Sequence, residues 1–136
     1  TESDFQDTLA LVREAGLVDS FSFKYSPRPG TAAAEMGEEV PPEVAQDRLE
    51  RLQAQQRDQT LAYHQSRVGE EAIVLIDGSS RRGGDQLSGR DRHLRVVNVD
   101  LRSGHGVEAG DKLPVRLVEA TPHSLIGEPA EASLRP

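Results

Sequence analysis

The chain has 136 residues, a formal net charge of −7, 35% hydrophobic and only 4% aromatic residues. The length suits one compact domain or one small domain with an appendage. The composition is lean for a single packed core, so part of the chain is expected not to pack on its own. Zero cysteines exclude disulfides, thiolate zinc sites, cysteine nucleophiles and thiolate-held iron–sulfur clusters.

Ser3 and Gln6 have the form of a capping box, and Phe5, Leu9 and Val12 recur at i, i+4 and i+7. With Gly16 as a left-handed stop, the spacing predicts an amphipathic helix over 4–15. Phe21, Phe23 and Tyr25 then alternate with Ser22 and Lys24, the period of a half-buried strand. A lone strand cannot bury three aromatics. Without sheet neighbours they are expected to pack on helix 4–15, to self-associate with a second copy through strand 21–25, or to stay disordered. The run Ser26-Pro27-Arg28-Pro29-Gly30-Thr31 follows as a stiff loop.

A second helix opens at Pro41-Pro42 and runs to about Val68, with Gly69 as its stop. Ala45, Leu49 and Leu52 form a stripe, but the glutamine-rich middle makes it a partly solvated connecting helix. A coiled coil is the alternative, and its seam fails at Gln56 and Gln59. From Gly69 the pattern changes to short strands over 72–76, 86–90, 94–101, 112–120 and 124–128. Pro114 should mark a strand start, an edge or a bulge. Five short strands fit a small antiparallel β-barrel of OB type, closed or nearly so, with a meander sandwich as the alternative. The fold class is therefore α+β. The expected segments are 1–40, a connecting helix at 41–68, a barrel at 69–130 and a tail at 131–136.

Residues 81–102 hold six arginines, Arg81, Arg82, Arg90, Arg92, Arg95 and Arg102, against Asp85, Asp91 and Asp100. A basic segment in an acidic protein is either a polyanion contact or ordinary hairpin surface. The four histidines lack metal-ligand spacing and read as surface residues, so no metal site is expected. Gly78–Gly84 would present backbone N–H groups to phosphate or simply form a flexible tip. No nucleophile has a base beside it, so no catalytic residue is assigned. No apolar run approaches the about 18 residues of a membrane span, no signal peptide opens the chain, and the reading is cytoplasmic.

Phe21–Ala33, with its Tyr-Ser-Pro-Arg-Pro-Gly-Thr string, resembles the last barrel strand and following loop of radical-SAM methylthiotransferases. Gly69–Glu128 resembles the TRAM domain that ends those enzymes, through Gln86-Leu87-Ser88-Gly89-Arg90, Gly110-Asp111 and Ser124-Leu125-Ile126-Gly127-Glu128. The Pro-Arg-Pro-Gly-Thr form and the Ser-Leu-Ile-Gly ending favour the MiaB-type tRNA enzymes over their ribosomal-protein relatives. The resemblance implies the C-terminal part of such an enzyme. Residues 1–40 would be the last helix and strand of the radical-SAM (β/α) barrel, followed by the connecting helix and TRAM.

The parent reaction so implied is methylthiolation of N6-isopentenyladenosine next to the anticodon. It would use two 4Fe-4S clusters and S-adenosylmethionine. This chain lacks the cluster cysteines, so it is expected to bind none of these cofactors and to be inactive alone. The implied partners are the tRNA anticodon stem-loop and the missing N-terminal and radical-SAM portions. Arg90, Arg92, Arg95, Arg81, Arg82 and Arg28 are the implied RNA contacts. Arg90 instead pairs with Asp91 or Asp111 if it merely braces the barrel, and Arg28 instead braces its loop. Tyr25, Ser26, Arg28 and Thr31 would face the mouth of the parent's barrel. The competing class is a structural barrel that packs on the parent's catalytic domains.

Overall fold

The computed structural model describes residues 1–81, 86–102 and 104–130. The chain divides into two compact units, Thr1–Gln59 and Thr60–Pro136. Arg82 and the 131–136 tail lie outside the described residues.

In the first unit α1 spans Glu2–Glu14, α2 Ala32–Glu35, and α3 begins at Pro42 and runs to Arg67 across the unit boundary. The cap of α1 is Thr1 rather than Ser3. Its hydroxyl accepts from the Asp4 N–H at 3.2 Å and the Asp4 carboxylate reaches back, closing the capping box two residues earlier than expected. Gly16 ends the helix at φ 63°, as a left-handed stop should. Leu9 and Val12 are buried. Opposite them, α3 turns glutamines inward. Gln55, Gln56 and Gln59 donate to the carbonyls of Leu9, Leu17 and Val12 at 2.9, 2.9 and 3.1 Å. The polar middle of α3 is therefore not simply solvated. Its amides donate to carbonyls along and just beyond α1, and of these Val12 lies in the last turn, where a helix leaves acceptors without intrahelical donors.

Residues 21–25, expected as a strand, join no ladder. Phe21 and Phe23 are 92% and 83% exposed. The period-2 pattern is present, but a strand exists only against a partner, and the unit provides none.

The second unit is a closed barrel of β1 (Glu71–Ser79), β2 (Gln86–Arg90), β3 (Val96–Asp100), β4 (Lys112–Ala120) and β5 (Leu125–Pro129), in the order β1-β2-β3-β5-β4. The sandwich alternative is thereby excluded. The all-antiparallel expectation is corrected: β3 and β5 run parallel, with Val97 opposite Leu125. Five strands cannot alternate direction around a closed ring, so one parallel pair is forced.

Alternate residues fill the barrel. Val74 and Ile76 of β1, Val97 and Val99 of β3, Leu113, Val115 and Leu117 of β4, and Leu125 of β5 form its core. Gly89 permits β2 to close on β1, because a Cβ there would lie 2.1 Å from the Leu75 carbonyl oxygen. Pro114 sits near the start of β4, where the Ala130 N–H reaches its carbonyl at 3.0 Å at the end of the β4–β5 ladder. Among the described residues no helix is long and apolar enough to cross a membrane.

Candidate nucleic-acid interface

The alternation that sends Val74 and Ile76 inward sends Glu71, Ile73, Leu75 and Asp77 outward. Cross-strand register places Leu75 opposite Arg90 on β2 and opposite Lys112 on β4, and Ile73 opposite Pro114. Paired residues share a face of a sheet. A groove of about 1070 Å³ runs over this outer face, with Arg92, His93 and Leu94 of the β2–β3 turn on its rim. Its apolar part stays in contact with water: Ile73 is 61% exposed, Leu75 46% and Leu94 67%.

Asp91 fixes the rim. It is buried, and one carboxylate oxygen accepts the backbone N–H groups of His93 and Arg95 at 2.9 and 3.0 Å. The other oxygen is paired with the Arg67 guanidinium, which also reaches Glu70 at 2.9 Å. Burial pushes the Asp91 carboxyl up, but the Arg67 contact and the two N–H donors outweigh it and hold it below the usual aspartate value. Burial likewise works against the Arg67 charge, and Asp91 and Glu70 reverse that and raise it. The loop closes through Leu94 N–H to the Asp91 carbonyl at 3.0 Å and Asp91 N–H to the Arg95 carbonyl at 3.1 Å. These bonds hold Leu94 at φ 61°, a left-handed conformation costing roughly 1–2 kcal/mol for a residue with a Cβ. The turn is thus locked from beneath and presents Arg92, His93 and Leu94 outward.

Arg90, Arg92 and Lys112 are exposed. Among the described residues none of the three has a carboxylate within ion-pair distance. The alternative brace for Arg90 is not made among the described residues: Asp91 is taken by Arg67, and Asp111 accepts from the Glu108 N–H at 2.9 Å. On this face Glu70 is bound to Arg67, and Glu71 lies 3.9 Å from Arg116. The groove therefore holds an aliphatic strip, three cations with no carboxylate at ion-pair distance among the described residues, and the outward carboxylate of Asp77.

Of the sequence-assigned residues, Arg90 and Arg92 line this groove. Arg95 is half-buried and contributes its backbone to the Asp91 turn, and exposed Arg81 follows β1 away from the groove lining. Arg28, Tyr25 and Ser26 are exposed residues of the first unit. Thr31 caps α2, accepting from the Ala34 N–H at 3.3 Å and donating to the Arg28 carbonyl at 2.8 Å. Sequence reasoning missed Lys112, Leu75, Ile73 and the Arg67–Asp91 pair. Alternation within β1 and β4 was the signal for the first three, once their mutual register is known.

The residues present do not fit an iron–sulfur cluster. The chain has no cysteine, and no group of three or more His, Asp or Glu among the described residues is arranged to hold a metal ion. No protein-family model matches the chain. Curated relatives do. It is 44% identical over 94% of its length to a protein of Alkalilimnicola ehrlichii named tRNA-2-methylthio-N(6)-dimethylallyladenosine synthase. Proteins of the same name from Methylococcus capsulatus and Legionella pneumophila are 44% and 40% identical over 93% and 100% of the chain. The chain spans only 27–30% of the length of these three relatives. Over that shared stretch, its sequence is similar to these tRNA-2-methylthio-N(6)-dimethylallyladenosine synthases.

Proposed function

We propose that this chain is the C-terminal part of an enzyme that methylthiolates N6-isopentenyladenosine beside the anticodon, and that its barrel is the TRAM module that binds the anticodon stem-loop. The observation that carries this reading is the 40–45% identity, over nearly the whole chain, to proteins named for that modification. The groove supports it physically, because exposed guanidinium and ammonium groups without carboxylate partners suit phosphate.

In this reading Arg90, Arg92 and Lys112 contact RNA phosphates, with Arg95 and Arg81 as peripheral contributors. Residues 1–40 belong to the end of the radical-SAM barrel, and Phe21, Phe23 and Tyr25 find their sheet neighbours in the rest of the parent. Tyr25, Ser26, Arg28 and Thr31 then lie at its mouth. The clusters and S-adenosylmethionine belong to the parent's other portions, where they supply the radical and sulfur chemistry. The chain by itself is inactive, and the parent works in the cytoplasm, where its RNA is.

The test is Arg90→Ala in the full-length parent. Weaker tRNA binding with an unchanged melting temperature is expected. Unchanged tRNA affinity in a stable variant would remove Arg90 from the interface. One observation favours a second reading: exposed Ile73 and Leu94 are also what a barrel packing on the parent's catalytic domains would present. A double Ile73→Ser, Leu94→Ser variant that loosens the parent's assembly while leaving tRNA affinity intact would support that reading instead.

A further inference from the structure

We propose that the groove is a subsite for one unpaired RNA base, lying against Leu75 and Ile73 with the phosphates on either side held by Arg90 and Lys112. This rests on the RNA-binding reading above and adds which part of an RNA the groove takes.

The transverse row Arg90–Leu75–Lys112 is the basis, since these residues are direct partners on three adjacent strands. Their side chains project to one face, and the two cations stand about 10 Å apart at the backbone with Leu75 midway. An aliphatic spot between two cations matches a nucleotide that is flat and apolar in the middle and anionic at both ends. A duplex stacks its bases inside and offers only phosphate rows, so it would leave Leu75 and Ile73 against water. A splayed loop offers the base as well.

Single-strand binders commonly stack bases on aromatic rings, but residues 69–136 contain no Phe, Tyr or Trp. The contact must therefore be aliphatic, with planar groups only at the rim. There the Arg92 Nε lies 3.3 Å from the His93 ring nitrogen, so a guanidinium and an imidazole sit side by side on the locked turn. The charge pattern also selects against a neutral apolar peptide, which would bury three cations without partners.

The experiment uses the whole 136-residue chain and three probes. These are an RNA hairpin with 2-aminopurine in its unpaired loop, a blunt RNA duplex of equal length, and an acidic peptide. The hairpin should bind about tenfold tighter than the duplex, with a change in 2-aminopurine fluorescence on binding. Leu75→Ser should lower hairpin affinity about three- to tenfold while leaving duplex affinity and the hairpin's salt dependence unchanged. Ile73→Ser, at an independent and more exposed position, should act in the same direction. Equal hairpin and duplex affinity, or an equal drop for both in Leu75→Ser, would overturn the base subsite and leave RNA binding standing. Absence of RNA binding, with or without capture of the acidic peptide, would overturn both.

Discussion

The two units solve the same problem with different chemistry. The barrel unit satisfies its strand backbone through a closed ladder around an aliphatic cluster. The first unit has no sheet. Its buried apolar residues are few, and side-chain amides of α3 donate to the carbonyls of Leu9, Val12 and Leu17. Arg51 adds a surface clasp, gripping Glu2 at 2.8 and 3.0 Å while lying 4.6 Å from the Phe5 ring centre. That contact with Arg51, assisted by Gln6, draws the Glu2 carboxyl down to about 2. Glu2 is well exposed, so the clasp orients more than it stabilises. In the barrel unit strand pairing carries most of the backbone, with the Asp91 carboxylate holding the β2–β3 turn. In the helical unit side-chain amides do more of that work.

The contrast can be broken first at Gly89. Gly89→Val forces a side chain into the Leu75 carbonyl, beyond the about 1–3 kcal/mol of ordinary overpacking. Hydrogen exchange should show β1 and β2 losing protection while α1 keeps its own. Asp91→Ala comes next. It leaves the Arg67 guanidinium with Glu70 alone and should cost about 3 kcal/mol in thermal unfolding.

The pH dependence of that pair follows from its direction. The Asp91 carboxyl is depressed below its ordinary 3.8, so its contribution is fully present above that value and is lost as pH falls through the lower folded one. The stability gap between the wild type and Asp91→Asn should stay constant from about pH 5 to 8. It should close only as the pH drops below 3.8.

A smaller effect is expected in the helical unit. Gln56→Ala removes the bond to the Leu17 carbonyl and the Ser20 hydroxyl's bond at 3.0 Å, for about 1–2 kcal/mol. Exchange should rise after α1 and stay unchanged in the barrel. Equal loosening of both units would contradict the separation.

Much of this was legible before the structure. The bounds of β2 and β4 follow from turn residues and alternation, and Gly16 and Pro42 punctuate the helices as their backbone chemistry requires. That some pair runs parallel follows from counting strands once closure is known, but that it is β3–β5 follows only from the strand order. β1 outruns its apolar stretch because a bulge between Ile76 and Gly78 lets Gly78 and Ser79 continue the ladder. The 21–25 segment shows the limit of periodicity, which reports a capacity for pairing and not a partner.

The site divided in the same way. Arg90 and Arg92 stood out by charge, whereas Lys112 and Leu75 became visible only through register, a long-range property. Arg95 lies in the same charged run as Arg92, yet its backbone is drawn into the Asp91 turn.

The central claim is that cations flanking the β1 strip hold RNA phosphates. The most direct measurement is the affinity of the chain for an RNA hairpin across a salt series, for the wild type and an Arg90→Gln, Lys112→Gln double variant. Removing one cation from a phosphate should flatten the slope of log K against log salt by about 0.7–0.9, so the double variant should be shallower by roughly twice that. Its melting temperature should not change, since neither side chain has an ion-pair partner among the described residues. Identical slopes and affinities in two equally stable proteins would contradict the account.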